Sequence, residues 1–372
     1  METIIEPTIR AFWRTLESPV VTRWLGEPTF DFYARLVSRR LTARRVIARV
    51  ESIRTETASV KSFLLRPNGH FKGFCAGQHV NVTVEIDGVR HTRSYSPSNA
   101  PDGRHRVVLT VKRHPAGLVS QWLHEHLEVG ALVELGQAFG DFTASSEPQK
   151  LLLVAGGSGI TPIASLLRDA CRPSRTPDVV VLVYARTYAD LIFARELGAL
   201  TDEYPGVRVH FALTGEAPAG GNLSGRFSGT HLDFVAPDAR ERQTFVCGPR
   251  TLVDGVRALW AERGLSAPLK TETFSPFVTV PDGANLAPTV RVTAARSVRS
   301  FAANKAVPLL VQAEGAGLAP AHGCRQGICY SCTCRKRSGI VQNLSTGAIS
   351  SEPDEDVRLC ITVPLSDVTL DL

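Results

Sequence analysis

The spacing of hydrophobic positions changes several times along the chain, and each change predicts a different kind of element. In residues 1–42, Ile9, Phe12, Trp13 and Leu16 fall on one helical face, and further aromatics (Trp24, Phe30, Phe32, Tyr33) stand among arginines. This predicts one or two short amphipathic helices. From Arg45 to about Asp141 the pattern shortens to runs such as Val46 to Ile53, Ser59 to Leu65 and His79 to Ile86, with Asp87-Gly88 as a hairpin signal. Many short strands with frequent turns predict a small antiparallel barrel, interrupted by one helix over Leu118 to Leu127. At Lys150 near-continuous apolar runs begin to alternate with helices. They are Leu151 to Gly156, a helix from Pro162, Val179 to Tyr184, a helix near Leu191, Val207 to Thr214, Thr244 to Gly248, and a helix to Arg263. In that last helix Leu252, Val253, Val256, Leu259 and Trp260 share a face, and Gly264 stands at the C-cap position. Such an order means a doubly wound parallel sheet covered on both faces. Residues 275–288, with Pro276, Pro281, Gly283 and Pro288, read as a semi-stiff linker, and a third unit follows.

The expected organisation is therefore a helical extension (1–42), a barrel (43–147), a nucleotide-type domain (148–274), the linker (275–288) and a C-terminal domain (289–372). A chain of 372 residues is long enough for several separate cores. Its 43% hydrophobic and 21% charged residues exclude wholesale disorder and coiled-coil or collagen-like architectures. The net charge of +6 suits an acidic protein, nucleic acid or an anionic membrane surface without choosing among them. No helix-turn-helix or zinc-finger spacing supports nucleic acid as a partner. No uncharged apolar run reaches the ~18 residues of a membrane-spanning helix. Glu2 and Glu6 near the N-terminus do not fit a secretory signal, so a cytoplasmic protein is expected.

The cysteines are more specific. Five of the eight (Cys324, Cys329, Cys332, Cys334, Cys360) lie near the C-terminus, which favours a metal site in a reducing compartment over a disulfide framework. Cys324-x4-Cys329-x2-Cys332 with a distant Cys360 has the spacing of a plant-type [2Fe–2S] cluster, three thiolates from one loop and a fourth closing the site. Gly323 and Gly327 let backbone N–H groups approach the cluster sulfurs. The competing reading is structural zinc on Cys329, Cys332, Cys334 and Cys360, although zinc sites more often pair two C-x2-C knuckles. With the cluster reading, Cys334 is surplus, a loop residue pointing away from the irons. Residues 289–372, including LCITVPLSDVTLDL after the last ligand, resemble plant-type ferredoxin domains. That resemblance implies a β-grasp fold with the cluster near the surface.

Three further motifs concern organic cofactors. Arg93-Ser94-Tyr95-Ser96 ends a barrel strand, and its side chains suit a flavin: a guanidinium for a diphosphate, an aromatic ring to stack, a hydroxyl to hydrogen-bond near N5. The same residues on a plain strand would be unremarked. Val111-Lys112-Arg113 ends another strand, and Gly117-Leu118-Val119-Ser120 opens a helix whose N-terminus attracts phosphate. In LLLVAGGSGITP, Gly156, Gly157 and Gly159 permit close approach of a pyrophosphate, but Pro162 replaces the third glycine of the Rossmann fingerprint. Cys247-Gly248-Pro249 follows a later strand, with a small buried hydrophobe as the plain reading of Cys247.

In this order the motifs resemble the ferredoxin–NADP reductase superfamily. The resemblance implies FAD in the barrel, a pyridine nucleotide on the GGSGITP loop, and Thr161, Cys247, Gly248 and Pro249 beside the nicotinamide. It also offers Glu272 of TETF as an acid near the flavin, against the plain reading of a surface glutamate. Arg186, at the end of the strand where an NAD-selective site places an acid, suits the 2′-phosphate of NADPH, with a solvated loop charge as the alternative. Ser96, Cys247 and Glu272 form the expected catalytic set. The Gly117 to Ser120 helix start favours FAD over FMN. Barrel, nucleotide domain and C-terminal [2Fe–2S] domain together look like the reductase components of oxygenase and desaturase systems, and the N-terminal extension is most similar to bacterial reductases serving acyl-CoA or acyl-lipid desaturases. The expected function is electron transfer from NADPH through FAD and the cluster to an iron-dependent desaturase, with a peripheral contact to a membrane-bound partner. The alternatives are a soluble aromatic-ring oxygenase or hydroxylase as acceptor, and a non-enzymatic redox sensor.

Overall fold

The computed structural model describes residues 32–33, 42–103, 105–115, 117–144, 150–172, 176–217, 223–274, 290–323, 325, 327 and 330–372. Apart from Phe32, Tyr33 and Thr42, the expected N-terminal helices lie outside these residues, as does the expected linker.

The first unit is a six-stranded antiparallel sheet of β1 (Val46–Thr57), β2 (Val60–Pro67), β3 (Val80–Ile86), β4 (Val89–Tyr95), β5 (Val107–Lys112) and β6 (Leu132–Leu135), in the order β4-β3-β6-β1-β2-β5. Asp87 and Gly88 both have positive φ at the β3–β4 hairpin, the backbone twist that a two-residue turn between paired strands requires. Alternating side chains from β1, β2, β3 and β5 fill the interior, which α1 (Leu118–His126) closes with Val119 and Leu123.

The second unit is an all-parallel sheet of β7 (Lys150–Gly156), β8 (Asp178–Ala185), β9 (Val207–Leu213), β10 (Leu223–Ser224), β11 (Gln243–Gly248) and β12 (Leu269–Thr273), ordered β10-β9-β8-β7-β11-β12. Helices α2 (Ile160–Ala170), α3 (Ala194–Glu203), α4 (Gly229–Val235) and α5 (Arg250–Glu262) flank it. Two boundaries differ from the sequence reading. Helix α2 begins at Ile160, after a single 3-10 turn over Gly157–Gly159, so Pro162 sits in the first helical turn, where its missing N–H costs nothing. The helix expected near Leu191 begins only at Ala194, because Tyr188–Asp190 forms a 3-10 turn and Phe193 takes a left-handed conformation before the helix.

Barrel and nucleotide sheet share one core. Val60, Ala76 and Phe142 of the barrel pack in the same cluster as Ile163, Ala164 and Leu167 of α2. Helix α2 and the residues just after it also tie polar atoms across the boundary: Ser165 Oγ donates to Asn99 O at 2.8 Å, and Arg168 and Arg172 donate to the carbonyls of Ser98 and Pro101. An interface built like a domain core holds the cleft between the two units at a fixed width.

The third unit has a five-stranded mixed sheet, β14-β13-β20-β15-β18, formed by β13 (Val290–Ala294), β14 (Arg299–Ala303), β15 (Thr333–Ser338), β18 (Glu355–Arg358) and β20 (Val368–Leu370). A smaller sheet of β16 (Val341–Asn343), β17 (Ile349–Ser350) and β19 (Thr362–Pro364) lies alongside, with α6 (Leu309–Gly315) packed on the common core. First and last strands run parallel, β13 beside β20, as a β-grasp domain requires. Cys334 is not a loop residue. It lies on β15, buried in the core, where burial pushes its thiol up to about 11.

Candidate functional site

The ends of β4 and β5, the start of α1, the glycine loop after β7 and Phe274 enclose a cavity of about 190 Å³. Arg93, Ser94, Tyr95 and Ser96 line it from β4, and Lys112 from β5, with Gly117 and Ser120 beside them. Ser158 and Thr161 face it from the nucleotide domain. Four motifs spread along the chain from Arg93 to Thr161 thus meet at one cleft. Tyr95 is largely buried and its phenol is held well above its usual range by desolvation, so it is a neutral ring at physiological pH.

Ser96 is 3% exposed, and its Oγ has no hydrogen-bond partner among the described residues. A buried hydroxyl left unsatisfied is costly, and it points to a bound group that supplies the missing partner. Thr110, which also lines the cavity, is already engaged with Ser62 and Ser98 at 2.8 and 2.9 Å. Ser120 is spent locally: its Oγ donates to Gly117 O at 3.0 Å and accepts from His114 N at 3.1 Å, fixing the turn that presents the N-terminus of α1. Val111 belongs to the barrel core, with its side chain away from the cavity.

On the nucleotide side, Gly159 lies against the Cys247-Gly248 turn, where a Cβ would stand 2.2 Å from Cys247 O. Only glycine permits that approach, and it brings the GGSGITP loop and the C-G-P turn to the same sheet edge. Arg186 follows β8 and is exposed, its backbone carbonyl accepting from Gly215 N at 2.8 Å. Cys247 is fully buried and lines neither this cavity nor the larger one beside it.

Glu272 is not a surface residue. It pairs in register with Cys247 across β11 and β12, and its carboxylate oxygen Oε1 lies 3.8 Å from His79 Nδ1, with Oε2 unpartnered among the described residues. Desolvation raises its pKa to about 8, so at neutral pH the carboxyl is protonated. The folded protein then binds a proton that the unfolded chain releases around the ordinary value of 4.5. The stability this group contributes is full below pH 4.5 and is lost as the pH rises towards 8. In Glu272→Gln, a neutral isostere, unfolding free energy is expected to gain on the wild type by about 1.4 kcal/mol per pH unit across that window. Denaturant titrations at several pH values read this directly, and parallel profiles would mean that Glu272 is ionised throughout.

Glu272 and Thr273 line a second cavity of about 340 Å³, together with His79, Arg257, Tyr330 and Arg358, so the end of β12 stands between the two cavities. On the far side is the cysteine loop. Cys332 and Cys360 are buried with their sulfurs 3.2 Å apart, and Gly327 donates its backbone N–H to Cys360 Sγ at 3.2 Å. Gly327 has φ +78°, a conformation that suits glycine and aims the N–H at the sulfur. Two thiols at one point with a backbone donor aimed at a sulfur fit an iron–sulfur centre. Cys324 and Cys329 lie outside the described residues.

Family models match the chain in three consecutive stretches: an oxidoreductase FAD-binding domain over residues 46–143, an oxidoreductase NAD-binding domain over 153–258, and a 2Fe-2S iron-sulfur cluster binding domain over 292–365. An NADPH oxidoreductase of Mycobacterium tuberculosis is 35% identical over 92% of this chain and 88% of its own length. The chain belongs to the three-domain ferredoxin reductases with a [2Fe–2S] domain. Other members of this reductase family include a glycine betaine monooxygenase reductase subunit of Chromohalobacter salexigens, 30% identical over 92% of this chain and all of its own. The crystal structure of phthalate dioxygenase reductase shares the fold, with a TM-score of 0.58 at 24% identity over 88% of this chain and 98% of the other. This reductase is thus an NAD(P)H-dependent oxidoreductase carrying FAD and a [2Fe–2S] cluster. The sequence reading missed Phe274, two positions beyond Glu272 on the same strand edge, as well as His79, Tyr330 and Arg358. The spacing of TETF was the only local signal among them.

Proposed function

We propose that this reductase takes hydride from NADPH and delivers single electrons to an iron-dependent fatty acyl desaturase. The observation that carries the electron path is the meeting of the Ser96 cavity, the Gly159–Cys247 contact and the Cys332–Cys360 pair around the end of β12. When bound, the flavin accepts electrons in pairs and the cluster passes them on one at a time. The protein's part is placement. Arg93, Tyr95, Ser96, Lys112 and the α1 N-terminus would hold FAD, with Phe274 covering its cavity. Gly156, Gly157, Gly159, Thr161, Gly248 and Pro249 would hold the nicotinamide half of the dinucleotide, with Cys247 buried behind them as support. Cys324, Cys329, Cys332 and Cys360 would ligate the irons. Glu272, neutral and desolvated, would offer a proton or a hydrogen bond beside the nicotinamide without repelling the departing hydride.

NADPH is preferred because Arg186, exposed at the end of β8, offers a bidentate donor for a 2′-phosphate. A charge-assisted pair of that kind corresponds to a ~10- to 100-fold advantage in kcat/KM for NADPH over NADH. A preference for NADH would reverse this assignment.

The desaturase reading rests on the arginine- and aromatic-rich residues 1–42, which suit a surface near a membrane-bound acceptor. Among the described residues no helix is long and apolar enough to cross a membrane. A second reading, an oxygenase as acceptor, is favoured by the names of relatives, among them a 3-ketosteroid-9-alpha-monooxygenase ferredoxin reductase component of Rhodococcus rhodochrous. Reconstitution decides between them: NADPH-driven turnover of a membrane acyl desaturase, lost on deletion of residues 1–40, supports the first. Turnover of a soluble oxygenase alone, indifferent to that deletion, supports the second.

A further inference from the structure

The cluster loop carries a side chain that neither the ligand set nor the flavin site uses. Tyr330 stands between Cys329 and Cys332 in sequence and has φ +56°, a left-handed conformation unfavourable for a bulky residue. It is 43% exposed, so its own domain's core does not account for it. Its ring instead meets Phe139 of the barrel edge-on, with centroids 5.9 Å apart. Arg358 stacks its guanidinium 4.6 Å from the Tyr330 centroid and donates to the Gly327 carbonyl. Arg358 is two residues before Cys360, so the clamp on Tyr330 is built from the same segments that carry the cysteines.

Phe139 is itself firmly seated. Its backbone exchanges two hydrogen bonds of 3.0 Å with His79, and its ring lies 4.2 Å from the His79 ring. His79 in turn faces Glu272 at 3.8 Å. A continuous set of contacts therefore runs from the end of β12 to the cluster loop. A separate tie, Arg257 Nη1 to Ser345 O at 3.0 Å, fixes the third domain to α5 farther along the same cleft.

We propose that Tyr330 is a positioning residue that docks the cluster loop on Phe139 and thereby sets the rate of the flavin-to-cluster electron step. This rests on the electron path proposed above. One electron leaves reduced flavin and reduces one ferric ion of the cluster; no bond forms or breaks. Tunnelling falls exponentially with separation, so a small displacement of the loop is felt in this rate and in no earlier step. The ring makes the contacts described, so phenylalanine should replace tyrosine.

The test uses the full-length holoprotein mixed anaerobically with NADPH. In Tyr330→Ala the flavin should bleach at the wild-type rate and the reduced cluster should keep its EPR spectrum, while cluster bleaching slows by about tenfold or more. Hydrogen exchange at the His79 and Phe139 amides should accelerate, and Tyr330→Phe should restore both properties. Phe139→Ala attacks the same contact from the barrel and should reproduce the slow step, which keeps the test decisive if Tyr330→Ala loses its cluster. Wild-type cluster bleaching and exchange in the cluster-containing variants would overturn the proposal. A wild-type protein whose cluster NADPH never reduces would instead refute the electron path itself.

Discussion

Cys360→Ser is expected to abolish the iron–sulfur absorption and EPR signals, and with them most electron delivery to an iron-dependent protein acceptor, while NADPH still reduces the flavin. Cys360 is buried, 3.2 Å from the Cys332 sulfur and the acceptor of the Gly327 N–H. Serine there is a harder ligand, with a hydroxyl that ionises far less readily than a thiol, and it shortens the reach to the metal. The residues around Cys360 form a core of their own, distinct from those of the barrel and the nucleotide sheet, so the damage stays local. Acceptor reduction should fall by on the order of 10²-fold or more, with ferricyanide reduction at the flavin retained. Iron and sulfide analysis of Cys360→Ser beside Cys334→Ala checks the ligand set, since the latter should keep its full cluster. Bound zinc without sulfide in the wild type, lost in Cys334→Ala as it is in Cys360→Ser, would restore the zinc reading.

Ser96→Ala carries the second large effect. The Ser96 hydroxyl is a preoriented polar group in a desolvated cavity, without a partner among the described residues. Removing a donor aimed at the reacting centre costs ~10²-fold in rate in comparable sites. Flavin reduction at saturating NADPH, followed by stopped flow, should slow by that order, with flavin content and cluster spectrum unchanged. An unaltered rate would leave Ser96 a packing residue and move the hydride-transfer machinery elsewhere.

The layered architecture was legible because periodicity is a local property. The runs around Val46, Val80 and Val107 alternate as half-buried antiparallel strands do, and Leu151, Val179 and Thr244 begin the continuous apolar runs of a buried parallel sheet. The reductase motifs were legible because glycine, proline and cysteine constrain the backbone or the chemistry wherever they stand. What sequence spacing does not carry is long-range placement. For Glu272 the sequence left an acid near the flavin and a surface glutamate both open, and only the pairing of β12 with β11 buries it beside Cys247. Cys334 reads as a loop residue until β15 sets it in the core. Tyr330, Phe139 and His79 belong to two units and come together only when these dock. Short elements such as α4 and β10 are too brief for a repeated hydrophobic pattern to stand out and leave little trace in the sequence.

The visible spectrum of the purified protein before and after anaerobic NADPH tests the electron path in one step. Overlapping flavin and [2Fe–2S] bands should both bleach, the cluster after the flavin, with FAD released on denaturation. A flavin that bleaches while the cluster stays oxidised, or a preparation with flavin but neither iron nor sulfide, would contradict it.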